Sequence, residues 1–157
     1  MEPKEVMLMK ALTIYPAPCE DIYHELKTIE VRTWKTKYRG RLLICAAKRP
    51  TPGCVCGYAY FTVNLTDIEP LTEEHLKDAC MSRMPHTPSY AWHFEDVEPV
   101  YPIPVSGKMG LFDVDDSLIK NVVTEEMEEW PDDDFKAFAY KYREEYIIPI
   151  TYKPDLL

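Results

Sequence analysis

Short segments that alternate apolar and polar residues make up much of this sequence, and several of them end at prolines or glycines. Residues 10–15 and 28–34 both alternate with the period of two that a β-strand produces, and the first stretch stops at Pro16. The pattern predicts an α+β domain, namely a small mixed β-barrel of about six strands with two or three flanking α-helices. We expect strands at residues 10–15, 28–34, 42–47, 54–66, 89–95, 101–105 and 146–152, and helices at residues 19–26, 71–81 and 131–145.

The length and composition fit a single domain over residues 1–157. With 46% apolar and 29% charged residues, the chain can build one core and is neither disordered nor fibrous in composition. Its apolar runs are shorter than the roughly 20 residues that a membrane-spanning helix needs, so no membrane contact is expected. The N-terminal sequence lacks the cationic start and long apolar stretch of a secretory signal, and we therefore expect a cytoplasmic protein.

The charge is distributed unevenly along the chain. The sequence has 18 basic and 27 acidic residues, and the resulting net charge of −9 argues against a nucleic-acid ligand. Between Lys27 and Arg49, however, eight basic residues accompany a single acid, Glu30, which gives this window a net charge of +7 and leaves −16 elsewhere. One local stretch can therefore attract anions while the whole molecule stays acidic.

Cysteine and histidine form no metal-binding or disulfide signature. Five cysteines are an odd number in a chain without an export signal, so we expect five small buried thiols rather than a disulfide framework. The four histidines are scattered and form no ligand motif. The sequence therefore predicts no metal site and no cofactor.

The second predicted strand separates apolar from charged side chains. Ile29 and Val31 lie on the face expected to contact the core, and Glu30, Arg32 and Trp34 lie on the opposite face. That opposite face is either exposed to solvent or the wall of a cleft.

Aromatic and cationic residues outside this strand are further ligand candidates. Trp34, Lys35 and Arg39 interleave rings and charges in a way that suits single-stranded nucleic acid, although a cationic hairpin tip is also an ordinary surface feature. Trp92 lies on an aromatic strand face that more often fills a core, and the alternative is an edge that faces the cleft. Lys108 lies between two glycines without the spacing of a nucleotide-binding loop, so it either contacts a phosphate or is solvated.

Separate segments of the chain resemble the ASCH (activating signal cointegrator homology) domain family. The family signature reads G-x-K-x-x-E-x-R, and Lys27, Glu30 and Arg32 occupy its last three fixed positions. Other stretches fit the family's second long strand and the strands that close its core. The matching segments are residues 10–14, 26–47, 57–61, 90–97 and 107–112.

The resemblance implies a fold similar to the PUA domain, with signature residues lining a cleft that binds RNA, single-stranded DNA or a nucleotide. It covers residues 9–114 as the core and leaves residues 115–157 as an acidic extension with a helix and a final strand. The expected ligand-binding residues are Lys27, Glu30, Arg32, Trp34, Lys35, Arg39, Trp92 and Lys108.

The sequence departs from the family pattern at positions that bear on activity. Glu25 replaces the signature glycine, so no glycine is present to adopt a positive φ before Lys27. Some small bacterial members hydrolyse acylated cytidines or cleave RNA. In the members that hydrolyse acylated cytidines, the resemblance places the threonine nucleophile at the position of Glu30. It places the acidic glutamate of their helix near Ala79. The nucleophile and the acid are both replaced, which disfavours that activity.

The functional alternatives therefore differ in class. The first hypothesis is a module that binds nucleic acid or a nucleotide in a basic cleft. The second is a small hydrolase acting on a modified nucleoside or RNA, with Glu30 as general acid or base and Lys27 as its charge partner. A structural role, in which the signature charges form an ion pair between strand and helix, competes with both. The acidic residues 125–134 are a solvated face, a cover for the basic window, or a surface for a basic protein partner.

Overall fold

A computed structural model describes residues 5–154, which form one six-stranded mixed sheet with two α-helices. Its strands are β1 (Leu8–Ile14), β2 (Ile29–Arg32), β3 (Gly40–Ala46), β4 (Tyr58–Pro70), β5 (Tyr90–Pro104) and β6 (Phe112–Asp115). They lie in the order β2-β5-β4-β3-β1-β6, with β1 and β3 parallel and every other neighbouring pair antiparallel. The α+β class with about six strands is confirmed, but the sheet is open, because β2 and β6 at its two edges do not pair within residues 5–154.

The two α-helices overlap two of the three predicted ones. They are α1 (Pro16–Tyr23) and α2 (Asp132–Tyr142). The helix predicted at 71–81 is wrong, since this segment contains only a short 3₁₀ turn, Glu73–His75. The main-chain carbonyl of Asp78 accepts hydrogen bonds from the N–H groups of Thr28 and Ile29, so pairing with the start of β2 replaces helical hydrogen bonding there.

The final strand predicted at 146–152 is also wrong. After α2 the chain continues as a π-helical turn, Arg143–Ile147, and a 3₁₀ turn, Ile148–Ile150. Thr151 alone forms an isolated β-bridge, with Val55. The apolar residues of this stretch pack against the main core from successive turns, which explains the strand-like composition without a strand.

The segment predicted as a separate strand at 101–105 is the second half of β5. β2 pairs only with the first four residues of β5, so the prolines of the second half lie beyond it. Main-chain bonds on that side go instead to residues 120–122, for example from the Tyr101 N–H to the Lys120 carbonyl. The short edge strand β6 is not among the predicted strands.

The structure covers both faces of β2. Trp34, which follows it, packs against the main core, where Trp92, Tyr60 and Phe61 are fully buried together with α1 residues. Ile29 packs on the opposite side of the sheet, in a smaller cluster completed by Leu71, Ala79 and Ala91. The Glu30 face of β2 therefore points inward rather than into solvent.

The described residues include no helix that is long and apolar enough to cross a membrane. Residues 1–4 and 155–157, which begin and end the predicted single domain, lie outside the described residues. The single domain and the cytoplasmic location stay predictions.

Candidate functional site

Glu25 shapes the turn that carries Lys27. Its φ of 60° places a non-glycine residue in the left-handed region, where the family signature has glycine. The N–H groups of Leu26 and Lys27 both donate to the Asp21 carbonyl, which closes the end of α1. The turn thus keeps the geometry that glycine usually adopts, although residue 25 is a glutamate.

The signature charges form one network. Lys27 Nζ lies 3.6 Å from Glu30 Oε1 and donates a 2.8 Å hydrogen bond to the Ala79 carbonyl. On the other side, Glu30 Oε2 lies 3.6 Å from Arg32 Nη2, which donates a 2.6 Å hydrogen bond to the Thr13 carbonyl. The network therefore ties β2 to β1 and to the segment at 71–81.

Burial divides this network into an inner and an outer part. The side chains of Lys27 and Glu30 are only 8% and 10% exposed, whereas that of Arg32 is 25% exposed. Lys27 contributes to a cavity of about 280 Å³ beside residues 94–97, but neither Glu30 nor Arg32 lines it. This arrangement matches the structural-ion-pair alternative for Lys27 and Glu30 and leaves Arg32 as the signature residue nearest to solvent.

Two polar atoms beneath the end of β1 lack a partner. Thr13 Oγ1 and Arg32 Nε are buried, and neither makes a hydrogen bond within the described residues. Gly107 packs directly over Thr13, because a Cβ at Gly107 would lie 2.7 Å from the Thr13 side chain. Buried polar atoms without a partner are costly, so this point of the fold carries an energetic cost.

Cations surround this point at the surface. Lys48 donates a 3.2 Å hydrogen bond to Ser106, next to Gly107, and the Arg49 guanidinium lies 5.0 Å from the ring centre of Tyr15, which is 62% exposed. We call the set Arg32, Lys48, Arg49, Lys108 and Tyr15 the β1-end rim. Within residues 5–154, Lys48, Arg49 and Lys108 have no acidic side chain within 4.0 Å.

The predicted aromatic candidates are mostly structural. Trp92 is fully buried, and its Nε1–H donates a 3.1 Å hydrogen bond to the Trp34 carbonyl. The two indole rings pack edge to face with centres 4.8 Å apart. Lys35 lies over the Tyr90 ring at 5.5 Å, and Arg39 lies 3.9 Å from Asp67. Lys35 approaches the rim only indirectly, since Tyr90 is the register partner of Arg32.

The acidic residues 125–134 do not cover the basic window in this structure. Nearly all of them are exposed, and no ion pair within the described part of the chain joins them to residues 27–49.

The five cysteines are free thiols, as expected, but they are not all buried. Burial raises the pKa of Cys45 to about 12, and burial together with Glu30 raises the pKa of Cys19. Cys80 is exposed, which corrects the expectation of five buried thiols.

The structure contains two features that the sequence did not predict, a large cavity and a cluster of two histidines with a glutamate. A cavity of about 670 Å³ lies between α1, β4 and the residues of α2 and beyond, lined by Tyr23, Tyr60 and Tyr142 among others. Two histidines, His75 and His93, meet at Glu69, although the histidines looked scattered in the sequence. Both features depend on how distant segments pack, and no local residue pattern signals them.

The open mixed sheet with its signature network defines an ASCH-type α+β domain, and comparison with known proteins agrees. The family model described as "ASCH domain" matches residues 12–108, so the chain belongs to the ASCH domain family. A search of curated proteins found no match.

Solved structures of ASCH from Zymomonas mobilis share the fold. The protein itself superposes with a TM-score of 0.55 at 15% identity, covering 69% of this chain and 89% of that one. A serine-to-alanine variant gives a TM-score of 0.56 at 16% identity, with 71% and 96% covered. A tyrosine-to-phenylalanine variant gives 0.51 at 15% identity, with 71% and 99% covered. At this identity the likeness concerns the fold alone.

Proposed function

We propose that this ASCH-domain protein binds single-stranded RNA at the β1-end rim. The observation that carries the proposal is the meeting of four cations and one exposed tyrosine around the end of β1. Three of these cations, Lys48, Arg49 and Lys108, have no acidic partner within the described residues, so their charge is available to phosphate groups.

The rim contains the two kinds of contact that single strands use. Cationic side chains follow the phosphate backbone, and an exposed ring provides a stacking surface worth about 1–3 kcal/mol per base. Tyr15 supplies the ring, with Arg49 held against its face. Arg32, whose side chain is 25% exposed, adds a fourth cation at the edge of the rim.

Fluorescence anisotropy with a labelled RNA of about 12 nucleotides tests the proposal, since single-strand sites span about 4–16 nucleotides. We expect affinity to fall steeply between about 50 and about 200 mM salt. In Lys48→Ala and in Lys108→Ala, each lost phosphate contact should weaken binding and reduce the slope of log K against log salt by about 0.7. A DNA of the same sequence measures the preference for RNA.

Lys136→Ala is the matched control, because Lys136 is an exposed lysine on α2, away from the rim. Its affinity and salt slope should equal those of the unmodified protein. Absence of RNA binding at low salt would contradict the proposal, and so would an equal loss in Lys48→Ala and Lys136→Ala.

The geometry gives the hydrolase alternative no support. Glu30 Oε1 accepts the Val31 N–H and lies 3.6 Å from Lys27 Nζ, Oε2 lies 3.6 Å from Arg32 Nη2, and Glu30 lines neither of the two cavities described above. Ala79, at the position of the family glutamate, offers Lys27 a carbonyl instead of a carboxylate. We expect no product from acylated cytidine or RNA, and turnover abolished by Glu30→Gln would favour the hydrolase instead.

A further inference from the structure

The outer end of the β4–β5 pair brings three metal-ligating side chains together. Glu69 pairs in register with Ala91, two residues from His93, so Glu69 and His93 lie on the same face of the sheet. His75 reaches them from the 3₁₀ turn that covers this face. One ligand atom from each of Glu69, His75 and His93 lies within 4.8 Å of the other two.

We propose that Glu69, His75 and His93 form a zinc site that fastens the segment at 72–81 to the sheet. Two imidazoles and one carboxylate are a ligand set that Zn²⁺ uses when it keeps an open position. In a tetrahedral shell with bonds of about 2.0–2.1 Å, ligand atoms stand about 3.3 Å apart. His93 Nε2 and Glu69 Oε1 are already 3.5 Å apart.

The metal-free arrangement holds a proton at the position of the ion. His75 Nδ1 accepts a 3.0 Å hydrogen bond from the Thr72 N–H, so the ring proton is on Nε2 and points to a Glu69 oxygen. If Zn²⁺ bound Nε2, the ring proton would move from Nε2 to Nδ1, and the Thr72 N–H would give up Nδ1 as its acceptor. Thr72 Oγ1, 3.4 Å from Nδ1, is the acceptor at hand.

The surroundings favour a cation that prefers imidazole. Asp67 is the register partner of His93 and adds negative charge on the same face, but its oxygens are not among the ligand atoms that lie within 4.8 Å of one another, so we count three protein ligands. Imidazole ligands select zinc and its transition-metal neighbours over Mg²⁺ or Ca²⁺. Burial is partial, which leaves the fourth position to water.

The ion would strengthen an attachment that rests on few contacts. The segment at 72–81 is held by Lys27 at the Ala79 carbonyl, by the Asp78 carbonyl on β2, and by the small cluster around Leu71. A ligand that binds only the folded state raises the free energy of unfolding by RT ln(1 + [L]/Kd), where [L] is the free ligand concentration. Zinc should therefore raise Tm and slow cleavage of this segment.

Calorimetric titration of the full chain with ZnCl₂ tests the site, in a Cys80→Ser background because Cys80 is an exposed thiol. We expect one Zn²⁺ per chain and no binding of Mg²⁺. His93→Gln and His75→Gln should each weaken zinc binding at least about tenfold, because even the loss of a group that only hydrogen-bonds to a metal ligand costs about 10–100-fold. His86→Gln, which changes an exposed histidine outside the cluster, should bind as the background does.

Two further measurements distinguish the loss of a zinc ligand from a general loss of folding. His93→Gln leaves the Thr72–His75 capping contacts intact, so its circular dichroism without metal should match the background. Zinc should raise Tm and slow tryptic cleavage after Lys77 and Arg83 in the background protein but not in His93→Gln. No binding tighter than millimolar, or zinc binding equal in His93→Gln and His86→Gln, would overturn the proposal.

Discussion

Glu25 is one of three non-glycine residues with a positive φ among the described residues, together with Cys80 and Asp96. It adopts a φ of 60° with an exposed side chain that makes no hydrogen bond or ion pair within the described residues. A left-handed conformation costs a residue with a Cβ about 1–2 kcal/mol, and glycine escapes that cost. The site therefore stores strain without a compensating contact.

Replacing Glu25 with glycine should stabilise the protein. The relief of strain exceeds the extra entropy of glycine in the unfolded chain, for a net gain of about 0.5–1 kcal/mol. Urea denaturation measures the change, and Glu25→Ala serves as control because it removes the charge but keeps the Cβ. Equal stability of the glycine and alanine variants would contradict the strain.

Lys27 shows how a residue of the signature can act through stability. Because Lys27 and Glu30 are nearly buried, removing the ammonium leaves a carboxylate with only Arg32 to balance it. Lys27→Met should therefore cost about 3 kcal/mol in the free energy of unfolding. Lys77→Met, at an exposed lysine on the neighbouring segment, should change it by less than about 0.5 kcal/mol. If Lys27→Met left the free energy of unfolding unchanged, the network would not hold the segment at 71–81.

At the scale of elements, the contact of Gly107 with Thr13 sets the height of the loop over the rim. A Cβ at Gly107 would meet both Oγ1 and Cγ2 of Thr13 at 2.7 Å, so the loop must lift or Thr13 must move. The same contact positions Ser106, which Lys48 holds. The loop at residues 106–108 and the end of β1 are therefore held against each other by these contacts.

Gly107→Ala should destabilise the protein by about 1–3 kcal/mol, the usual cost of overpacking, and weaken RNA binding by displacing Lys108. Adding Thr13→Ala removes the clashing atoms and should recover most of the stability, which makes the pair strongly non-additive. Thermal unfolding of the two single variants and the double variant completes the cycle. If the stability losses of the two single variants simply added in the double variant, the close approach of the loop to Thr13 would not require a glycine at position 107.

The sequence predicts the elements whose pattern is local. Alternation identified β1 and β2, a continuous apolar run identified β3, and the signature identified the three charges that meet in space. The segment at 71–81 has helical spacing, but Asp78 bonds to β2, and residues 146–152 look like a strand but pack as turns. Contacts such as Thr13 with Gly107 or His75 with His93 depend on register and loop path, which no single segment encodes.

For the whole molecule, net charge is a poor guide to the ligand. The chain carries −9 overall, yet the exposed cations of the window lie beside Lys108 only because β1 and the loop at 107 meet. The acidic residues 125–134 lie elsewhere and make no ion pair with the window in the part of the chain that the structure describes. A local field of this kind steers anions to one face of an acidic protein.

Mapping RNA onto the amide NMR spectrum tests the β1-end rim most directly. On titration with a single-stranded RNA, we expect the shifted amides to cluster at residues 13–15, 32, 48–49 and 106–108, with the amides of α2 unchanged. The shifts should disappear at high salt, because phosphate contacts dominate the affinity. Shifts confined to α2 or to the 670 Å³ cavity beside it, or no shifts at low salt, would contradict the account.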